Sequence, residues 1–140
     1  MEECVFCKIV GGEVKAEKIY ETEDAVAFLD INPRAPGHTL VIPKKHAESL
    51  ADLEDELVAG VFKAVKSVMK MLKKTIRPDA FTIGINDGKV AGQVIPHLHV
   101  NVIPRFKGDK GKSIHSVVDN PPSEEISEIG KRIRGSDNAP

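Results

Sequence analysis

The stretch PHLHVNVIPR, residues 96–105, places His97, His99 and Asn101 at every second position of an otherwise apolar run. Successive side chains of a β-strand point to opposite faces, so these three share one face while Leu98, Val100 and Val102 share the other. The apolar set predicts a strand whose one side faces the core and whose other side carries imidazoles. On a solvent-facing strand the two histidines would be ordinary polar residues, and as an H-x-H pair they are also spaced to converge on one metal ion. Imidazole equally suits phosphoryl or nucleotidyl transfer. It is nucleophilic and neutral near pH 7, and a hydrogen bond at one ring nitrogen aims the other at a substrate.

The loop DGKVAGQVIP leads into this stretch from AFTIGIN (80–86), which reads as a second strand. Gly88 and Gly92 give the loop backbone freedom, and with Gln93 its N–H groups are of the kind that cradle phosphate oxygens. Before AFTIGIN, the apolar residues Leu57, Val58, Val61, Phe62, Val65, Val68, Met69, Leu72 and Ile76 recur by threes and fours. That period predicts a helix over 54–76, stopped at Arg77-Pro78-Asp79 because proline disfavours helix in the residue before it. EKIYE (17–21) and AVAFLDI (25–31), separated by Thr22-Glu23-Asp24, predict a hairpin. After NPRAPG (32–37), HTLVIPK (38–44) predicts a third strand of that group. The expectation is an α+β domain of five antiparallel strands with one main helix packed on them.

Past Arg105 the chain is Gly- and Lys-rich, and Lys107 to Lys112 reads as a solvated loop or, alternatively, as a gate over a pocket. PSEEISEIGKRIRG predicts a short helix with Ser123 as its N-cap, and residues beyond Arg134 are expected to fray. We therefore divide the chain into a domain over 1–120 and a C-terminal short helix and flexible tail over 121–140.

A chain of 140 residues is long enough to bury a core without disulfides. Its 20 basic and 21 acidic residues balance to a net charge of −1 and there is no tryptophan, which argues against nucleic acid as a partner. No apolar run reaches membrane-spanning length, and no basic then apolar segment opens the chain, so a soluble, cytoplasmic protein without a membrane partner is expected. Cys4 and Cys7 form a C-x-x-C, which in a reducing compartment suggests a metal or redox site rather than a structural disulfide.

Taken together, CVFCKIV (4–10), AFLDINPRAPGHTLVIPKKH (27–46) and NDGKVAGQVIPHLHVNVIPR (86–105), with the helix between, resemble the histidine triad (HIT) nucleotide-binding hydrolases and transferases. The signature of that family is three histidines alternating with apolar residues; Asn101 stands here in place of the third. The resemblance implies a HIT-like fold and a two-fold homodimer meeting through the helix and the 80–86 strand. It implies His99 as the nucleophile at a nucleotide α-phosphate, forming a covalent nucleotidyl-histidine. His38 goes to the phosphate side of the site, Asp30 to the ribose, Ile31 to the base, and Asn86 and Gln93 to the phosphate. Val94 stands where many members have a serine, so only its backbone N–H would serve. The plainer alternatives are that Asp30 caps a turn, Ile31 is core and Asn86 ends a strand.

Asparagine keeps a donor and an acceptor but exchanges no proton near neutral pH, so Asn101 reads as a ligand of a phosphate oxygen. His115 is a conceivable substitute proton source, although an ordinary surface histidine fits its setting. In zinc-containing relatives the ligands that complete a C-x-x-C are the histidine after VIPK and the first of the triad. The resemblance thereby implies a structural zinc on Cys4, Cys7, His46 and His97. The implied activity is hydrolysis or transfer at the α-phosphate of purine nucleotides such as AMP phosphoramidates or dinucleotides. The alternative is a nucleotide-binding interaction module with weakened catalysis.

Overall fold

The computed structural model describes residues 3–136. Five strands form one sheet: β1 (Lys18–Glu21), β2 (Ala25–Leu29), β3 (Thr39–Pro43), β4 (Ala80–Gly84) and β5 (Val100–Arg105). Their spatial order is β1-β2-β3-β5-β4, with every neighbouring pair antiparallel. The predicted β1–β2 hairpin is present, its turn held by Thr22 Oγ1 accepting the N–H groups of Asp24 and Ala25.

The helices are α1 (Val5–Val10), α2 (Asp55–Thr75) and α3 (Ile126–Arg134). The 3.6-residue period of α2 places Val61, Ala64, Val65, Val68 and Leu72 in the core, against Ala25, Ala27, Val41, Leu98, Val100 and Val102 of the sheet. Each of the larger side chains contributes about 1.5–3 kcal/mol by leaving water. The helix ends as expected before Pro78: Ile76 and Arg77 both donate to the Leu72 carbonyl, and Arg77 takes the left-handed conformation, φ 57°.

Three features depart from the sequence-based expectation. The strand expected from His97 pairs only from Val100 onward, where Val100 meets Val41. His97 and His99 lie just ahead of the ladder, where the backbone turns to other partners: the His97 N–H donates to the Ile95 carbonyl and the Leu98 N–H to the Ala47 carbonyl, while the Pro43 carbonyl accepts from the His97 ring Nε2 at 2.9 Å. The second departure is α1, a six-residue helix not foreseen from period alone. It covers the opposite face of β2 and β3, packing Phe6 and Ile9 against Val26, Phe28, Leu40 and Ile42, so the sheet is buried on two sides there. Third, α3 begins two residues late: its N-cap is Glu125, not Ser123, without a side-chain capping bond. Of the tail expected to fray, residues 137–140 lie outside the described residues.

Candidate functional site

Two clusters meet where β5 begins. Cys4 is the N-cap of α1 and Cys7 lies in its first turn, so a single turn of helix aims both sulfurs at the entry to β5. Cys4 Sγ lies 3.4 Å from His97 Nδ1, Cys7 Sγ 3.6 Å from that same atom and 3.3 Å from His46 Nδ1. Ligand atoms of all four residues fall within 4.8 Å of one another. Tetrahedral zinc, with bonds of about 2.0–2.3 Å, sets its nitrogen and sulfur ligands roughly 3.6 Å apart. The donor set and its spacing therefore fit a closed Cys2His2 metal site.

The hydrogen bonding agrees with that fit. A carbonyl oxygen only accepts, so the Pro43 carbonyl places the proton of His97 on Nε2 and leaves the Nδ1 lone pair facing the two sulfurs. Burial pushes the His97 imidazole below its ordinary value, with the Pro43 contact opposing this and His46 and His99 adding to it. Burial pushes the Cys7 thiol up, and its hydrogen bond and charge interaction with Cys4 act in the same direction. A bound cation reverses that second preference by taking the thiolate, so metal uptake releases protons.

The second cluster gathers residues from β5 and from the ends of β2, β3 and β4. His99 Nδ1 donates to the carbonyl of His97 at 2.8 Å, which leaves the lone pair on Nε2. No described group hydrogen-bonds to that Nε2. His38, at the start of β3, is buried; its Nδ1 accepts the Arg34 N–H at 3.1 Å and its Nε2 lies 3.0 Å from Asn101 Oδ1. Asn101 Nδ2 in turn donates to the Gly84 carbonyl at 3.3 Å, and Asp30 Oδ2 is 3.7 Å from His38 Nε2. The structure thus brings His38, Asn101 and Asp30 into one network, with His99 two residues before Asn101, just ahead of β5.

The remaining candidates are placed less uniformly. Asp30 does brace a turn, its Oδ1 accepting the Asn32 N–H at 2.8 Å, while its other oxygen faces His38. Ile31 is 89% exposed, which overturns the reading of it as core. Asn86 is exposed beside Gly92. Gln93 uses its amide inside the protein: Oε1 accepts the Gly88 N–H, and Nε2 donates to the carbonyls of Glu48 and Ile95. It fixes the loop, whose Gly88 and Gly92 have φ near +105° as expected of positions closed to other residues. Val94 is exposed. His115 sits exposed on a single turn (Ile114–Ser116) next to Ser113. The lysine-rich segment is an ordered loop: Arg105 pairs with Asp109 at 2.7 Å and with the Lys112 carbonyl, and it holds the Asp109 carboxyl far below the usual range.

One residue escaped the sequence reading. The Phe6 ring stands edge-on to both His97 and His99, with centroids 5.9 and 5.2 Å away, and so touches both clusters. Within CVFCKIV only its place between the two cysteines hinted at this.

Comparison with known proteins agrees with this geometry. The HIT domain model matches residues 11–108. An uncharacterized HIT-like protein of Methanocaldococcus jannaschii is 43% identical over 94% of this chain and 99% of its own length. The adenosine 5′-monophosphoramidase of Schizosaccharomyces pombe is 38% identical over 93% of this chain and 95% of its own. A zinc-bound histidine triad family protein from Mycobacterium smegmatis superposes with a TM-score of 0.74 at 38% identity, covering 95% of this chain and 91% of that one. With the family model matching residues 11–108 of 140 and a relative aligned nearly end to end, this chain belongs to the HIT domain family.

Proposed function

We propose that this protein is a hydrolase or nucleotidyltransferase acting at the α-phosphate of nucleoside phosphoramidates or of mono- and dinucleotide phosphates. The observation that carries this reading is the His99 ring, whose Nδ1–H is tied to the His97 carbonyl so that the Nε2 lone pair remains for attack. In the proposed course, Nε2 bonds to the α-phosphorus, the leaving group departs with its electron pair, and a covalent nucleotidyl-His99 results. Water or another acceptor then displaces His99 and the nucleotide is released. Asn101 and His38 line the phosphate side, and backbone N–H groups of the loop that Gln93 fixes, including that of Val94, take phosphate oxygens with Asn86. Asp30 meets the ribose, and the exposed Ile31 side chain covers the base, with adenine the first candidate given the monophosphoramidase relative.

Cys4, Cys7, His46 and His97 would hold a zinc ion whose part is structural, since protein atoms fill all four positions. The functional assembly is proposed to be a homodimer through α2 and the edge strand β4, on which Phe62 and Met71 of α2 remain partly exposed. Light scattering of the purified protein should give twice the 15.2 kDa chain mass; a monomer at micromolar concentration would refute this part.

The central test is turnover of adenosine 5′-phosphoramidate and of diadenosine tetraphosphate by wild type and by His99→Ala. Wild type should turn over at least one of them, with His99→Ala slower by about a thousandfold or more. Quenching in alkaline denaturant, where the P–N bond of a nucleotidyl-histidine survives, should trap an adenylyl group on His99. AMP binding without His99-dependent turnover of either compound would leave a binding module instead.

A further inference from the structure

The orientation of the Asn101 amide follows from its neighbours without ambiguity. The Arg34 N–H is a donor, so His38 Nδ1 must be the acceptor and the His38 proton sits on Nε2. That Nε2–H points at Asn101 and must find an oxygen, which places Oδ1 toward His38 at 3.0 Å. The Gly84 carbonyl, an acceptor, then faces Nδ2 at 3.3 Å. One N–H of the amide is thereby spent on Gly84 and the second is left for an incoming oxygen.

This network offers hydrogen bonds but no transferable proton. An amide N–H does not ionise near neutral pH. The His38 proton faces Asn101 Oδ1 on a ring that is 3% exposed, and the proton of His99 is held by the His97 carbonyl. Asp30 takes part as an acceptor, from the Asn32 N–H. Among the described residues, no other titratable side chain hydrogen-bonds to Asn101 or His38.

We infer that Asn101, held in this orientation by His38 and Gly84, is a specificity-determining residue that restricts the site to nucleotides whose leaving group departs as a stable anion. Phosphoanhydrides, in which the leaving group is a phosphate or a substituted phosphate, are the substrate class; phosphoramidates are poor substrates. This rests on the proposed attack of His99 on the α-phosphorus and narrows it. As the His99 Nε2–P bond forms, the bond from phosphorus to the leaving group breaks and its electron pair departs with that group. A phosphate oxygen keeps the pair as it stands. An amine nitrogen must gain a proton in the same step, and no side chain of this network gives one. In the second step the oxygen of water bonds to phosphorus, the P–N bond returns its pair to Nε2, and the proton from water goes to solvent.

The experiment compares kcat/KM for diadenosine tetraphosphate and adenosine 5′-phosphoramidate in wild type, Asn101→His and a His99→Ala blank. Adenylyl-enzyme formation is also measured with AMP aryl esters running from nitro-substituted to unsubstituted phenol. A positioned general acid is worth about 10²–10⁴-fold, so wild type should favour the anhydride by at least about 10²-fold. Its rate across the aryl series should fall steeply as the phenol becomes less acidic. Asn101→His should raise phosphoramidate turnover by about 10²-fold and flatten the aryl series, with the anhydride changed far less. His99-dependent turnover in which wild type accepts the phosphoramidate as well as the anhydride would overturn the inference and leave the proposed reaction standing. A folded Asn101→His variant with an unchanged preference would remove Asn101 as the determinant. Absence of any His99-dependent turnover would take down the proposed reaction and the inference with it. The wild-type comparison decides even if Asn101→His does not fold.

Discussion

Phe6 is the residue through which the proposed metal cluster and the imidazole proposed to react are joined. It is flanked in sequence by two proposed ligands and in space by His97, His99 and Phe28, the last with ring centroids 5.5 Å apart. Edge-to-face contacts of this kind are worth about 0.5–1.5 kcal/mol beyond burial and, unlike aliphatic packing, constrain the ring plane. Phe6→Leu keeps most of the buried volume, so it should cost about 1–1.5 kcal/mol of stability. It should also lower kcat about tenfold with KM little changed, because the His99 ring is freed to rotate while nucleotide contacts stay. Steady-state kinetics well below the melting temperature would check this; an unchanged kcat would mean that the His97 carbonyl alone aligns His99.

At the scale of elements, α1 is too short to hold itself together. Six residues are far below the length at which an isolated helix is stable in water, so its order comes from the apolar contacts of Phe6 and Ile9 and from whatever Cys4 and Cys7 bind. Metal binding in such a site is folding free energy. Cys4→Ser should therefore abolish stoichiometric zinc in the purified protein and destabilise it by on the order of 3 kcal/mol or more. Chelation of the wild type should do the same, with faster amide exchange first in residues 5–10. Denaturant melts with parallel metal analysis would decide; a melt and metal content both unchanged in Cys4→Ser would dismiss the zinc assignment. The loop over 87–96 is another element whose order is tertiary: Gln93 ties it to Glu48, and Asp87 accepts from Ser49 and Leu50, so it rests on the segment before α2.

For the whole molecule, the buried histidine links stability to pH. Burial pushes His97 below the ordinary imidazole value of 6.5, and unfolding restores that value. Between the two, the unfolded chain binds more protons than the folded one, so the stability of the metal-free protein falls as pH drops through about 6.5. Above that pH both states hold a neutral ring and this contribution is complete. Zinc on the proposed site would add to the trend, because protons compete for the same Nδ1 lone pair. Urea midpoints of chelated protein at pH 7.5 and pH 5.5 should differ in this direction; equal midpoints would mean that water reaches the His97 ring.

How much of this was legible beforehand differs with the kind of interaction. The helix over 55–75, the five strands and the Leu98, Val100, Val102 face are local patterns: periods of 3.6 and 2 record which side of an element meets the core. The positive φ of Gly88 and Gly92 is likewise a property of the backbone itself. The gathering of Cys4, Cys7, His46 and His97 was reachable only through resemblance, because their separations along the chain say nothing of distance in space. What the tertiary structure alone decided are matters of competition for partners. His97 stays ahead of the strand, its backbone N–H given to the Ile95 carbonyl and its ring to the Pro43 carbonyl. Gln93 braces the loop rather than standing free, because neighbouring carbonyls satisfy its amide first. The proton positions on His38 and His99, and so the direction of the Asn101 amide, depend on which backbone donor or acceptor each ring meets. A sequence names the groups that can hydrogen-bond, and only the packed chain determines which of them find each other.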